Sequence, residues 1–335
     1  MMLFIDNEGI NDPRINLAIE EYALKHLKIE GDNTYLLFYI NEPSIIIGRN
    51  QNTIEEINTD FVEENNIKVV RRLSGGGAVY HDLQNLNFSF LAKDDGDSFA
   101  NFAKFAQPVI DALKALGVDA EMSGRNDIQV GGRKISGNAQ FSTKGRMFSH
   151  GTLMLDSEIE NVVSALKVKA EKIQSKGIKS IRSRVANISE FLEEKITMEE
   201  FKALLLRHIF NVDSVDEVPK YKLTEADWKK IHEISKIRYQ TWEWNYGKSP
   251  AFDIQNSKRF EGVGSIDVRL DVAKGVIKDC KIFGDFFGIG EVADIEEKLK
   301  GATYNRDGIE KALADVDIKH YFGRIDKEDF IKLVY

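Results

Sequence analysis

Apolar positions along the chain repeat with two periods, and each change of period marks an element. Residues 13 to 27 carry Ile15, Ile19, Tyr22 and Ala23 at helical spacing, with Asp12 and Pro13 placed as N-cap and first-turn residue. Shorter runs predict strands at 35 to 40, 44 to 48, 69 to 72, 78 to 80 and 86 to 91, with Asn41, Glu42 and Pro43 as a turn between the first two. A long helix is predicted from Ser98 to Leu116 on Phe102, Phe105, Val109, Ile110 and Leu113, with a kink at Pro108 and Gly117 as its stop. Strand signals return at 128 to 140, broken at Gly131-Gly132 by a hairpin turn, and at 146 to 155. Helical spacing then occupies 158 to 168, 198 to 210 and 225 to 239, whereas 168 to 184 shows no period and reads as a mobile loop. Past Gly247, Ser249 and Pro250, short strands at 264 to 270 and 276 to 283 precede two helices. The pattern predicts an α+β fold: a mixed β-sheet domain over residues 1–246 with helices on its faces, and a small α+β domain over 247–335.

The length of 335 residues suits two such units. Hydrophobic residues at 42% and charged residues at 30% are ordinary for a packed fold, and a formal net charge of −8 argues against broad attraction to nucleic acid or anionic membrane. The start has no basic segment leading into an apolar core, and no stretch approaches 18 uninterrupted apolar residues, so a cytoplasmic protein is expected. The single Cys280 excludes an internal disulfide and a multi-cysteine metal site. No G-x-x-x-x-G-K-[ST], H-E-x-x-H, G-x-S-x-G or C-x-x-C pattern occurs. Gly288 to Ala293 spells a dinucleotide fingerprint, yet no second βαβ half follows it, and it reads as chance. His26, His208, His232 and His320 fall in helical stretches and receive no role.

Chemistry concentrates in the segment Arg71-Arg72-Leu73-Ser74-Gly75-Gly76-Gly77-Ala78-Val79-Tyr80-His81-Asp82. Three glycines without Cβ let backbone N–H groups approach an anion or a flat ring, and the arginines add fixed positive charge. A plain glycine hairpin with solvated arginines reads the same residues. In a second segment, GRNDI (124 to 128) and GRKISGNA (132 to 139) set Asp127 and Lys134 on the two arms of a hairpin. Asp127 suits a magnesium–phosphate unit, and Lys134 suits an α-phosphate or a developing acyl oxyanion; a salt-bridged surface hairpin is the alternative. SHGTLML (149 to 155) is a polar start to an apolar strand. Residues 167 to 184 hold seven Lys and Arg against one acid, Glu171, which fits a solvated face or a loop closing over a nucleotide.

In their order and spacing, RRLSGGGAVYHDLQNLNFSF, GRNDI, GRKISGNAQ, SHGTLML and SKGIKSIRSRVANI resemble the lipoate–protein ligase A family, and WEWNYGKSPAF (242 to 252) resembles the junction into that family's small C-terminal domain. The resemblance implies a biotin/lipoyl protein ligase fold, like that of class II aminoacyl-tRNA synthetases. It implies a cytoplasmic monomer that joins (R)-lipoate or octanoate to ATP with Mg2+ and passes the acyl group to a lysine of lipoyl carrier domains. Those carriers are the glycine-cleavage H protein and the E2 subunits of 2-oxoacid dehydrogenases. By motif position, Arg72, Gly77, Ala78, Val79 and Tyr80 would hold ATP, and Lys134 would be catalytic, meeting phosphate and acyl carbonyl. Leu17, Tyr39, Arg72, Gly76, His81, Gly137, Ala139 and His150 would line the lipoate site, with Asn87 and Asp127 near phosphate and metal. Ser175, Lys176, Gly177, Ile178, Lys179, Arg182 and Arg184 would belong to an adenylate-binding loop. Many relatives carry two histidines before the Gly-Thr; here the first is Ser149, leaving His150 as the motif's histidine. Rival readings are an ATP-independent octanoyl or lipoyl transferase of the same fold, which uses a cysteine absent from this catalytic half, and a non-catalytic carrier-docking protein.

Overall fold

The computed structural model describes residues 1–29, 33–166, 184–246, 254–273 and 275–335. Contacts divide the chain into two compact units: Met1–Ile46, Ile54–Arg71 and Val79–Asn245 form the first, and Ile47–Thr53, Arg72–Ala78 and Tyr246–Tyr335 the second.

The first unit contains β1 (Met2–Asp6), β2 (Thr34–Ile40), β3 (Ser44–Ile47, its last residue grouped with the second unit), β4 (Lys68–Arg71), β5 (Val79–His81), β6 (Asn85–Lys93), β7 (Ala120–Ser123), β8 (Asp127–Val130), β9 (Arg133–Thr143), β10 (Arg146–Met154) and β11 (Lys220–Tyr221). Eight of these strands make one mixed sheet in the order β11-β1-β2-β6-β10-β9-β8-β7, and the other three make a small sheet in the order β4-β3-β5. In the large sheet β1 runs parallel to β2 and β11, and the remaining pairs are antiparallel.

Three helices sandwich the large sheet. Helices α1 (Pro13–His26), α2 (Phe102–Ala115) and α3 (Met198–Phe210) are each started by a side-chain cap, from Asp12, Asn101 and Thr197 respectively. Phe105, Val109 and Leu113 of α2 and Phe201 and Leu205 of α3 bury themselves on Phe88, Phe90, Ile135, Met147 and Leu153, which share one sheet face. Residues of opposite parity on β2, β6 and β10 face α1. That helix differs from the single apolar stripe expected of it, because Asn16 through Leu24 are all buried, including Glu20 and Glu21.

Other differences have local causes. Helix α2 begins at Phe102 rather than near Ser98, because Ala100 is left-handed at φ 67° and Asn101 supplies the cap. Pro108 sits inside α2 without ending it. The segment expected as one helix over 225 to 239 is α4 (Glu225–Ile234) followed by a π-helical turn, Ser235–Tyr239. The segment expected over 158 to 168 is a short helix, Ile159–Ala165. The stretch read as a mobile loop lies outside the described residues up to 183.

The second unit carries an antiparallel meander, β12 (Ile254–Phe260), β13 (Gly264–Ala273) and β14 (Val276–Gly284), and four helices, α5 (Val292–Leu299), α6 (Arg306–Ala312), α7 (Ile318–Phe322) and α8 (Lys327–Val334). Ile266, Val268, Leu270, Ile282, Leu299, Phe322 and Phe330 form its core. Two strands and two helices were expected. Strand β12 escapes the pattern because IQNSKRF is mostly exposed on a sheet edge, and helices of five to eight residues are too short to show a period. Gly288 and Gly290 serve close packing on α7, since a Cβ at Gly288 would lie 1.7 Å from the Tyr321 carbonyl oxygen. The antiparallel sheet beside them confirms that the fingerprint spelling is accidental.

Helix α4 is tied to α1 through Asp227. Its carboxylate accepts from the Thr224 N–H at 2.8 Å, the Tyr221 hydroxyl at 3.1 Å and, in a short bond, the Tyr22 hydroxyl of α1. Burial alone would raise the Asp227 carboxyl, but these bonds outweigh it and hold the group below the ordinary 3.8. Replacing Tyr22 with Phe is therefore expected to cost about 1 to 2 kcal/mol at pH 7, seen as a lower urea midpoint. The folded value lies below the unfolded one, so the stabilisation is complete above pH 3.8 and fades as pH falls through the folded value. Wild-type and variant midpoints should converge on acidification below that point.

Candidate active site

Strand register collects polar groups on the sheet face that meets α1. Asp127 pairs with Gly137, Thr152 with Asn87, and Asn87 with Tyr39, and the Gly137 N–H donates to Thr152 Oγ1 at 3.2 Å. These five residues make one row across β8, β9, β10, β6 and β2. The next row runs Ala139, His150, Ser89 and Leu37, and the one beyond it Phe141, Phe148, Leu91 and Tyr35. The face thus grades from charged and polar at one end to aromatic and aliphatic at the other.

Lys134 reaches the polar row. Its Nζ lies 2.8 Å from Asp127 Oδ1, with both side chains a little over one-third exposed. A register shift between Ile128 and Gln129 separates the arms where the pair forms. Gly137 leaves room for the ammonium, since a Cβ there would stand 2.9 Å from Lys134 Nζ. Asn138 bonds back to the Asn126 carbonyl through its N–H at 2.9 Å and its Nδ2 at 3.0 Å, fixing the turn that carries Asp127. Both main-chain groups of Lys134 are taken as well: its N–H donates to the Arg184 carbonyl at 2.7 Å, and its carbonyl accepts from the Ala186 N–H at 2.9 Å.

Two histidines meet opposite kinds of partner. His150 Nδ1 lies 2.9 Å from Glu20 Oε1, so the carboxylate holds a proton on Nδ1. His81 Nδ1 lies 2.9 Å from Asn41 Nδ2, an amide nitrogen that can only donate. The Asn41 amide is oriented by Asn16, whose Nδ2 donates to Asn41 Oδ1 at 2.9 Å and to the Ile10 carbonyl at 2.9 Å. His81 therefore accepts on Nδ1, and the proton of its neutral ring sits on Nε2. Neighbouring Tyr80 stays a phenol, because burial pushes it up and Asp82 adds to the shift.

The glycine segment belongs to the second unit. Arg72 is buried, and its guanidinium donates to Ser74 Oγ at 3.0 Å and to the carbonyls of Gly75 at 2.7 Å and Gly77 at 2.8 Å. All peptide bonds among the described residues are trans, so the Gly76 and Ala78 N–H groups, which share those peptide planes, point away from the guanidinium. Gly76 takes φ +90°, a conformation that L side chains avoid. The loop thus turns main-chain donors outward around a buried cation, an arrangement suited to an anion.

Of the residues singled out in the sequence, Tyr39, Asn87, Asp127, Lys134, Gly137, Ala139 and His150 share the sheet face, and Leu17 lies one helical turn before Glu20 on α1. Val79, Tyr80 and His81 form β5, while Arg72, Gly76, Gly77 and Ala78 lie in the second unit. Ser175, Lys176, Gly177, Ile178, Lys179 and Arg182 fall outside the described residues, and Arg184 is described as exposed. Sequence reasoning missed Glu20, Asn41, Ser89 and Thr152. Asn16 and Glu20 gave a usable signal, being polar residues four apart within an otherwise apolar helical turn; Ser89 and Thr152 gave none.

A sheet face graded from a cation–carboxylate pair to apolar side chains suits a ligand with a charged end and an apolar chain. The description "Lipoyl protein ligase A/B catalytic domain" matches residues 12–210, and "Bacterial lipoate protein ligase C-terminus" matches residues 249–334. The chain is 70% identical to the lipoate-protein ligase LplJ of Bacillus subtilis, covering all of both chains. Among solved structures, P. falciparum LipL1 in complex with lipoate superposes with a TM-score of 0.78 at 25% identity, covering 99% of this chain and 97% of that one. A lipoate-protein ligase A bound with ATP superposes with a TM-score of 0.61 at 30% identity, covering 73% of this chain and 98% of that one. The chain belongs to the lipoate–protein ligase family.

Gly137→Ala tests the Lys134 geometry. The added methyl crowds the flexible end of the Lys134 side chain and only touches Asp127 Oδ1, 4.0 Å away, so the variant should fold with an unchanged melting temperature. Displacing the ammonium should nevertheless lower lipoate-dependent ATP–pyrophosphate exchange by about tenfold or more.

Proposed function

We propose that the chain first joins lipoate to ATP and then passes the lipoyl group to the ε-amine of a lysine on a lipoyl carrier domain. In the first step a lipoate carboxylate oxygen attacks the α-phosphorus, the bond to the β-phosphate oxygen breaks, and diphosphate leaves. In the second the carrier amine attacks the acyl carbon, the C–O bond to AMP breaks, and the amine proton passes to solvent. No protein nucleophile is needed, because AMP is the leaving group. The protein's task is to align two anions and to stabilise negative charge as it moves.

The observation that carries this reading is the Lys134 ammonium in a row that also holds Asp127, Gly137 and Asn87. In this assignment Lys134 meets the α-phosphate and the acyl carbonyl, while Arg72 and Gly77 through Tyr80 hold the nucleotide. Leu17, Tyr39, Gly76, His81, Gly137, Ala139 and His150 take the acyl chain. The stretch Ser175 to Val185 serves as the adenylate-binding loop, and residues 247–335 are an accessory domain to a catalytic domain of 1–246. Mg2+ fits as an ion carried chiefly by phosphate oxygens. Among the described residues no three His, Cys, Asp or Glu side chains cluster as a metal site, while Asp127 offers a part-exposed carboxylate. When bound, the cation neutralises phosphate charge. The carriers are the glycine-cleavage H protein and the E2 subunits of 2-oxoacid dehydrogenases, and the enzyme works as a cytoplasmic monomer. No described helix is long and apolar enough to cross a membrane.

The cysteine-dependent transferase loses ground. Cys280, the chain's one cysteine, is fully buried in the core of the second unit, and burial pushes its thiol up to about 12. A thiol so placed is no nucleophile near neutral pH.

Incubation with ATP, magnesium, lipoate and an apo H protein, read by intact mass, should show a lipoyl adduct that disappears when ATP is omitted. Equal modification without ATP would overturn the ligase reading. Lys134→Ala removes a part-exposed side chain and should fold, but lose about a hundredfold or more in pyrophosphate exchange, a deficit of about 3 to 4 kcal/mol. Near-normal exchange by the folded variant would remove Lys134 from this role.

A further inference from the structure

The segment Trp242-Glu243-Trp244-Asn245 makes contacts that the reaction above does not use. They fall on β4, the edge strand of the small sheet. The inner side of β4 bonds its neighbour: the Lys68 N–H donates to the Pro43 carbonyl at 3.3 Å and the Arg72 N–H to the Ile47 carbonyl at 2.9 Å. Strand alternation then turns the N–H and C=O of Arg71 toward the open edge. Side chains cover them there. Asn245 Oδ1 accepts from the Arg71 N–H at 2.9 Å, and Trp244 Nε1 donates to the Arg71 carbonyl at 2.7 Å.

The bonding is reciprocal. The Arg71 guanidinium donates to the carbonyls of Trp244 through Nε at 2.9 Å and of Asn245 through Nη2 at 3.4 Å, at the end of the short helix Trp242–Asn245. A cation there meets carbonyls that have no partner within the helix. Asn245 Nδ2 is anchored in turn on the Tyr239 carbonyl at 2.8 Å, and the Trp244 ring lies 4.6 Å from the Arg238 guanidinium carbon. Arg71 and Asn245 are both buried. Both main-chain groups and the side chain of Arg71 are therefore held by one dipeptide, and Arg71 is peptide-bonded to Arg72.

We propose that Trp244 and Asn245 are positioning residues for the nucleotide, because clamping Arg71 sets the direction in which Arg72 and the glycine loop leave β4. The inference rests on the reading of Arg72 and that loop as ATP-binding. Its consequence is selective. Of the groups assigned to the acyl chain, Leu17, Tyr39, Gly137, Ala139 and His150 sit on α1, β2, β9 and β10, and only Arg72 and Gly76 share the loop that follows Arg71.

Two variants test the clamp in the full-length enzyme. Trp244→Phe deletes the donor to the Arg71 carbonyl while keeping an aromatic ring, and Arg71→Lys keeps the cation and both main-chain bonds while losing the planar fork. In lipoate-dependent pyrophosphate exchange, KM for ATP should rise about tenfold in each, while KM for lipoate, most of whose groups lie off the loop, rises about threefold at most. A merely structural role would lower the melting temperature and move both constants together, or neither. Unchanged KM for ATP in a folded variant, or equal rises for both substrates, overturns the proposal. If Trp244→Phe unfolds, Arg71→Lys decides. If wild-type protein shows no lipoate-dependent exchange, the ligase reading fails, and calorimetric titration with Mg-ATP then decides the clamp: about tenfold weaker binding by the variants supports it, and equal binding overturns it.

Discussion

The site depends on the register of five neighbouring strands. Side chains alternate across a sheet, so slipping β9 by one residue would exchange Gly137 and Ala139 for Asn138 and Gln140 on the face that meets α1. Register is held on both flanks. The aromatic and aliphatic row of Phe141, Phe148, Leu91 and Tyr35 packs at one end, and the Asn126–Asn138 bonds close the other. Between them lie groups that a stable core would not choose. Ser89 Oγ and Asn85 Oδ1 are buried with no hydrogen-bond partner among the described residues, at a cost of about 1 to 3 kcal/mol each. Such local conflict is expected where a surface is shaped for a ligand rather than for its own stability.

The two histidines extend the same logic to hydrogen atoms. Glu20 reaches His150 from α1, and the Asn16–Asn41 relay reaches His81, so each ring has its Nδ1 committed to the scaffold. Fixing the tautomer in advance removes an ordering step when a ligand binds. The relay begins at backbone carbonyls of Ile10 and Ile40, which only accept, and this is what orients every amide after them.

Elements with strong periods were legible in the sequence, and so were the residues whose chemistry is unusual for their place. The strands β2, β6, β9 and β10, the Gly131-Gly132 turn and helices α2 and α3 announce themselves through alternation, paired glycines and apolar stripes. Lys134 and Asp127 stand out because an acid and a base flank a glycine hairpin. Strands β1, β7 and β11 are hidden, since two to five residues carry too little pattern, and β1 and β11 pair with each other from far apart in sequence. Thr152 and Ser89 are hidden for another reason: a small polar residue in an apolar strand is common, and only cross-strand register reveals that these two share the site face. Arg71 was misjudged in kind. Next to Arg72 it reads as a second anion-binding charge, yet its guanidinium is buried against the carbonyls of Trp244 and Asn245.

That last pair explains how one dipeptide, Arg71-Arg72, can contain two arginines with different work. Both are buried, and burial pushes Arg71 down to about 10, which still leaves it charged near neutral pH. A buried cation needs oxygen around it, and among the described residues each arginine donates to main-chain carbonyls. A carbonyl accepts from the fork without cancelling its charge. A carboxylate in either place would bind more strongly and would leave less field for an incoming phosphate. The glycines allow this, because three consecutive residues without Cβ let the chain fold its own carbonyls around Arg72 while the following N–H groups turn the other way.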